Sequence, residues 1–205
     1  MPGARVAIEG TDPIRMRVAS ALAADHRIEQ VGLIGRQPPS AWGDRTVAIT
    51  SPRGWDVVVG VAETGVPQVS VGGGGDVEWA GPTGLARALG SRLGTDAVLA
   101  GTVEGEPIAS EPRFGFPPPL GWLGGAAIDG IHHCPTRGTV AAVMAVTDAN
   151  RALVVLDERP FLDAALLAAG VLLAADGHRG PVWTAAERYL DLIGDFGLVL
   201  ADRSV

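Results

Sequence analysis

The sequence contains no lysine, so all 16 of its basic side chains other than histidine are arginines. This absence excludes catalysis through a lysine Schiff base, and it also excludes a lysine general acid. A compositional bias of the genome would account for it. The single cysteine cannot form a disulfide within the chain, which is typical of proteins in a reducing compartment.

Charge and hydropathy exclude two further classes of partner. The net charge is −7, and no basic stripe is present to neutralise nucleic-acid phosphates. The longest apolar run, Phe161 to Ala175, is interrupted by Asp163 and Gly170 and is too short to span a bilayer, so it predicts a buried helix. The N-terminus lacks the apolar segment of a signal peptide. We therefore expect a cytoplasmic protein that binds neither nucleic acid nor membrane.

Residues 5–36 predict a strand–turn–helix–strand unit of about 30 residues, the length that a right-handed parallel crossover needs. Arg5 to Glu9 is a short apolar strand that ends at Gly10, and Gln30 to Ile34 is the second strand. Between them, apolar residues recur at the spacing of one buried helix face. They are Ile14, Val18 and Leu22.

The turn between this strand and helix keeps only the first glycine of the phosphate-binding pattern Gly-x-Gly-x-x-Gly. The six positions are Gly10, Thr11, Asp12, Pro13, Ile14 and Arg15. Asp12 places a carboxylate where the second glycine lets the backbone approach a pyrophosphate, unless that carboxylate caps the helix. Arg15 could supply positive charge to a phosphate. Gly10, Thr11, Asp12 and Arg15 are thus candidate cofactor residues, and a capped turn that binds nothing is the alternative.

Gly35 and Arg36 end the second strand, where dinucleotide-binding proteins read the ribose. An acidic residue there binds the 2′-hydroxyl of NAD, whereas arginine accommodates the 2′-phosphate of NADP. These two residues therefore favour NADP over NAD as the cofactor, and an ordinary solvated arginine is the alternative.

Further strands are predicted over Thr46–Ile49, Asp56–Val61 and Val66–Val71. The last two are separated by only four residues, Ala62 to Gly65, so they form either a hairpin or a parallel pair whose connecting helix has been trimmed. A helix over Thr83–Leu93 and a strand over Ala97–Val103 follow.

In the second half, two apolar runs joined by a short polar loop, Thr139–Val146 and Arg151–Asp157, predict an antiparallel hairpin. The other predicted elements are a strand over Ala126–Ile131, helices over Phe161–Ala175 and Val182–Phe196, and an edge strand over Leu198–Leu200. The fold class is therefore α/β: an abbreviated Rossmann-like parallel sheet in residues 1–100, followed in residues 101–205 by a smaller α+β domain with a mixed or antiparallel sheet. We expect this second domain to bind substrate and to form a homo-oligomer contact.

The densest polar chemistry lies in Ile131–Thr139, which contains two histidines, the cysteine and an arginine. Adjacent histidines on a strand point to opposite faces, so we predict no metal site. His132 and His133 are candidate proton donors or anion-binding groups. Cys134 has the residue type of a nucleophile, and a buried, unreactive thiol is the alternative.

The opening VAIEGTDPIRMRVASALAADHRIEQVGLIGR resembles the N-terminus of dihydrodipicolinate reductase-like oxidoreductases, and more loosely that of saccharopine and diaminopimelate dehydrogenases. In the reductases, a His-His segment runs into a Ser-Gly-Thr motif that binds the substrate carboxylate. Ile131–Thr139 is similar to a shortened version of it. The resemblance thus implies substrate binding by Arg137, Gly138 and Thr139, with Arg137 in place of the serine. The family's glycine-rich turn is broken here, and its catalytic lysine has no counterpart.

Three functions are therefore open. The first is an NAD(P)-dependent oxidoreductase-like protein that acts on a small carboxylate-bearing metabolite in a cleft between the two halves, with His132 and His133 as catalytic residues. The second is a non-catalytic Rossmann-derived protein that has lost cofactor binding and acts as a ligand sensor or assembly partner. The third is a cysteine hydrolase or transferase that uses Cys134.

Overall fold

The structure, a computed structural model, describes residues 3–60, 65–96, 98–103, 127–128, 131–134, 140–146 and 151–204. These residues form two β-sheets with helices packed against them. The helices are α1 (Pro13–Ala24), α2 (Pro82–Leu93), α3 (Arg159–Ala175) and α4 (Ala186–Asp195), with short 3₁₀ turns over Ser40–Trp42 and Val182–Ala185. No helix in these ranges has the length and apolar character needed to cross a membrane.

The first sheet is parallel throughout. Its strands are β1 (Ala4–Glu9), β2 (Ile28–Ile34), β3 (Thr46–Ile49), β4 (Val57–Val59), β5 (Gln68–Val69), β6 (Val77–Glu78) and β12 (Gly180–Pro181). Their order is β12-β6-β5-β4-β1-β2-β3, and its last six members have the strand order of doubly wound dinucleotide-binding folds. The predicted α/β class with a Rossmann-like parallel sheet is therefore confirmed.

Two short strands decide a question that the sequence leaves open. Val58 lies opposite Gln68 in a parallel pairing of β4 with β5, so these strands do not form a hairpin, and that alternative is wrong. β5 and β6, each only two residues long, continue the sheet in the same direction. The Rossmann-like sheet thus keeps its six strands, and it is abbreviated because β5 and β6 are short.

Continuous apolar runs form the centre of the first sheet, because strands covered on both faces exclude water from every side chain. Val6, Ala7 and Ile8 of β1 and Val57 and Val58 of β4 are fully buried. Helix α1 packs on β1 and β2, and α3 packs on β4, β5 and β6 and also against α1. Because β1 and β4 pair directly and run parallel, their ends lie side by side.

Helix α3 approaches the sheet closely because it carries a glycine at the contact. A Cβ at Gly170 would lie 2.5 Å from the Cβ of Ala80 and 3.1 Å from Cγ1 of Val69. The predicted buried helix over Phe161–Ala175 is confirmed, with its first turn two residues earlier.

The second sheet contains β7 (Val98–Val103), β8 (Ala127–Ile128), β9 (Ile131–Cys134), β10 (Val140–Val146), β11 (Arg151–Glu158) and β13 (Leu200–Ser204). β10 and β11 pair antiparallel, which confirms the predicted hairpin, whereas β7 and β9 pair parallel, so the sheet is mixed. Helix α2 packs on β7 and β10. The division of the chain at residue 100 stays a prediction. After β11 the chain returns to the first sheet with α3 and β12, and it then adds β13 to the second sheet.

A three-residue ion-pair cluster joins the end of α1 to the end of α4. Arg27 donates to Asp25 at 2.5 Å from Nη2 and to Asp195 at 2.7 Å from Nη1. Burial by itself raises the pKa of Asp25, but the hydrogen bonds and charge of Arg27 outweigh burial and hold this pKa below its ordinary value. The cluster therefore stabilises the folded state while Asp25 is ionised.

Replacing Arg27 by glutamine should lower the free energy of unfolding at pH 7 by about 1.5–3 kcal/mol, because the Asp25 carboxylate loses its charged donor. Since the folded-state pKa of Asp25 is depressed, its contribution is present above pH 4 and is lost as pH falls below it. The difference in free energy of unfolding between wild-type protein and Arg27→Gln, measured by urea unfolding, should thus become smaller below about pH 4. Arg17→Gln, at an exposed site on α1, is the control; equal losses in both variants would contradict the prediction.

Candidate functional site

The turn after β1 contains a glycine with a positive φ angle. Gly10 has a φ of +103°, a backbone conformation that residues with a Cβ atom rarely adopt. A Cβ at this position would also overlap with the Arg15 guanidinium, which folds back over the turn. Gly10 is therefore needed both for the direction of the chain and for the position of Arg15.

The first backbone N–H groups of α1, where a dinucleotide pyrophosphate would bind, are already hydrogen-bonded within the protein. The Asp12 Oδ1 atom accepts from the amides of Ile14 at 3.1 Å and Arg15 at 3.0 Å. Pro13 has no N–H, and the amide of Met16 donates to the Asp12 carbonyl at 3.1 Å. Asp12 therefore caps the helix, one of the two alternatives that the sequence leaves open.

Arg15 is paired with the same carboxylate. Its Nη1 atom lies 3.4 Å from Oδ2 of Asp12, and about a third of the Arg15 side chain and under half of the Asp12 side chain are exposed. The positive charge that the sequence offers to a phosphate thus lies beside a carboxylate in this conformation. Thr11 is exposed beside the pair.

The crevice between β1 and β4, where the strand order of the sheet reverses, is the position at which doubly wound proteins bind their ligands. Glu9, the last residue of β1, lies against Gly60, just beyond β4. A Cβ at Gly60 would be 2.7 Å from Cβ and 2.9 Å from Oε2 of Glu9. Gly60 has a φ of +137°, and its carbonyl accepts a hydrogen bond from the Gln68 side chain. The Glu9 carboxylate is therefore a second acidic group at this end of β1, three residues before Asp12.

These contacts do not fit a nicotinamide dinucleotide at the first βα turn. The helix donors are used by Asp12, and the Arg15 guanidinium lies beside the same carboxylate. An anionic pyrophosphate would have to displace the Asp12 cap and approach that carboxylate. Glu9 and Gly60 were not identified from the sequence. The available signal was their position, because Glu9 ends the buried strand β1 and Gly60 directly follows the buried strand β4.

Gly35 and Arg36 are both exposed at the end of β2. Gly35 has a φ of +71°, and its amide donates to the Ile49 carbonyl at 2.9 Å, which continues the pairing of β2 with β3. The structure therefore places these residues at the predicted edge of the sheet. Their role in distinguishing NADP from NAD stays a prediction.

The histidine segment is described only in part. His132 and His133 lie in β9, opposite Leu99 and Ala100 of β7. Arg137, Gly138 and Thr139 lie outside the described residues. Among the described residues, no three histidine, cysteine or acidic side chains lie close enough to hold a metal ion. The substrate site predicted for this segment stays a prediction.

Together, the strand order and the Gly10 turn define a doubly wound α/β protein whose first helix N-terminus is capped by its own carboxylate. No protein-family model matches the chain, and no curated protein matches it. Among solved structures, it is similar to dipicolinate-bound dihydrodipicolinate reductase from Paenisporosarcina sp. TG-14. The identity is 11%, the alignment covers 85% of this chain and 94% of that chain, and the TM-score is 0.48. This similarity concerns the path of the chain and assigns no site.

Proposed function

We propose that this protein is a non-catalytic, ligand-sensing member of the doubly wound class that binds no dinucleotide at its first βα turn. One observation carries the proposal: the Asp12 carboxylate accepts hydrogen bonds from the two N–H groups that a pyrophosphate would need. A cap of this kind is worth about 1 kcal/mol to the helix, so a phosphate must first overcome it.

The charges in the crevice support the same proposal. A phosphate that displaced the Asp12 cap would still lie close to the Asp12 carboxylate, which is also the partner of Arg15, the adjacent cation. Like charges in a partly buried crevice repel strongly because water screens them less there. The side chains at this turn are thus arranged for self-capping rather than for binding an anion.

An NADP-dependent oxidoreductase that acts on a small carboxylate-bearing metabolite is the second candidate. The left-handed Gly10 and the exposed Arg36 favour it, since these are the features that a bound NADP requires at a turn and at a strand end. In this candidate, His132 and His133 would act on a substrate held by Arg137, Gly138 and Thr139. The Asp12 cap and its pairing with Arg15 count against it.

Calorimetric titration with NADPH and NADH distinguishes the two functions. We expect no saturable heat with wild-type protein at concentrations up to about 1 mM, the upper end of ordinary cofactor and substrate affinities. Asp12→Asn keeps a capping side chain without its charge, whereas Asp12→Gly removes both at a cost of only a few tenths of a kcal/mol. If the cap itself blocks binding, only Asp12→Gly should gain affinity. Submillimolar binding by the wild-type protein would overturn the proposal and favour the reductase.

A further inference from the structure

A polar groove lies away from the crevice between β1 and β4, between the second half of α2 and the turn Val182–Ala185. It consists of two adjoining cavities of about 290 and 500 Å³ that share Ser91 and Trp183. Arg87, Gly90 and Thr95 line the first cavity, and Ala185 and Ala186 line the second. We call it the Trp183 groove. Its size is in the range of small-molecule sites.

The Trp183 ring is held in place by two neighbours. The guanidinium carbon of Arg87 lies over the ring, 5.0 Å from its centroid. The ring of Trp79 packs beside it, with centroids 6.2 Å apart and planes inclined by 43°. Such cation–π and tilted aromatic contacts orient a ring without covering all of it. The indole is therefore a preformed wall of the groove.

Trp79 itself adopts an unusual backbone conformation, with a φ of +62° that is rare for a bulky residue. The local hydrogen bonds maintain it: its amide donates to the Gly72 carbonyl at 2.9 Å, and its carbonyl accepts from Gly81 at 2.7 Å. Strained residues of this kind persist where the surrounding structure over-determines them, often beside ligands.

Charge is unevenly matched around the groove. Glu187 pairs with Arg92 at 3.6 Å, and Asp176 pairs with Arg188 at 2.8 Å. Within the described part of the chain, the Arg87 guanidinium has no carboxylate at ion-pair distance and lies over Trp183, and Asp96 also lines the cavity. A guanidinium over a ring keeps its N–H donors, and these match the two oxygens of a carboxylate.

We propose that the Trp183 groove binds a small carboxylate with an apolar body. The carboxylate accepts paired hydrogen bonds from Arg87 and one from the Ser91 hydroxyl, and the apolar body lies along Trp183, Ala185 and Ala186. This inference names a ligand class for the ligand-sensing function proposed above and rests on it. The NADPH titration tests the first βα turn, whereas the groove ligand binds at the Trp183 groove. A failure of one proposal can therefore be distinguished from a failure of the other.

Benzoate is the probe, and the indole N–H signals of the tryptophans in ¹H–¹⁵N NMR spectra are the readout. We expect saturable shifts with benzoate at low millimolar concentration and none with benzylamine, which has the same shape and the opposite charge. Arg87→Gln should weaken benzoate binding about tenfold or more, because a charge-assisted bidentate pair is lost. Arg87→Lys keeps the charge but lacks the paired donors, so its affinity for benzoate should lie between those of the wild-type protein and Arg87→Gln.

Arg17→Gln, an exposed arginine on α1, is the matched control and should bind benzoate as the wild-type protein does. Both Arg87 variants and the control are compared only after their thermal unfolding shows a folded protein. The proposal is overturned if wild-type protein shows no saturable shift with benzoate up to about 20 mM. It is also overturned if benzylamine binds equally well, or if Arg87→Gln and Arg87→Lys leave the affinity unchanged.

Discussion

Replacing Gly84 by alanine should destabilise the protein by roughly 3 kcal/mol, as expected for overpacking against a backbone that cannot move. Gly84 lies in the first turn of α2, and an added Cβ would overlap with the carbonyl oxygen of Trp79. It would also lie 2.7 Å from Cγ2 of Val182. Trp79 cannot yield easily, because hydrogen bonds to Gly72 and Gly81 hold it at a φ of +62°.

Gly194 in α4 offers a matched control, since it is also a helical glycine and its added Cβ would meet no atom within 4 Å beyond its chain neighbours and its own helix backbone. Alanine there should raise the free energy of unfolding by about 0.5–1 kcal/mol, because it restricts the unfolded chain without a clash. Urea unfolding of both variants measures the difference. Two alanine variants of similar stability would show that the backbone at Trp79 adjusts, contrary to this prediction.

Tyr189 should dominate the loss of stability at alkaline pH. It is the single tyrosine of the chain, it is fully buried in α4, and its hydroxyl donates to the Leu166 carbonyl at 3.2 Å. Burial raises the pKa of this phenol well above its ordinary value. The folded state therefore keeps the proton at a pH where the unfolded state loses it. Stability is retained below about pH 10 and falls above it, by about 1.4 kcal/mol per pH unit.

The absence of lysine makes this prediction unusually specific. Between about pH 10 and pH 12, tyrosine is the only side-chain type in this sequence that ordinarily titrates, because arginine ionises higher and cysteine lower. Tyr189→Phe should lose about 1 kcal/mol at pH 7 with its hydrogen bond, and its stability should be nearly independent of pH in that window. In wild-type protein, tyrosinate absorbance should rise only as the chain unfolds. A rise near pH 10 with the circular dichroism unchanged would refute the burial argument.

Long periodic segments of the fold could be predicted because their patterns are local. The four-residue spacing of Ile14, Val18 and Leu22 predicts α1, and the hairpin of β10 with β11 follows from two apolar runs and a short polar loop. By contrast, β6 is too short to produce a pattern of its own, and β5 keeps only two residues of the strand predicted over Val66–Val71. Their direction is set by pairing across the sheet, which composition does not encode.

The candidate site divides in the same way. Gly10 was identified from its position after a strand, and the structure agrees that only glycine fits there. The sequence left Asp12 with two possible orientations, of which the structure selects the helix cap. The contact between Arg87 and Trp183 could not be predicted from the sequence, because 95 residues separate them.

The amino-acid sequence by itself determined the α/β class, the central buried strands, the need for glycine at the first turn, and the exclusion of lysine chemistry. All of these depend on residue type and on spacing within one element. Only the tertiary structure decided that β4 and β5 run parallel, that Asp12 and Arg15 fold onto the first turn, and that Glu9 adds a second carboxylate to the crevice. These features depend on which chain segments meet, and that is settled by packing across the whole core.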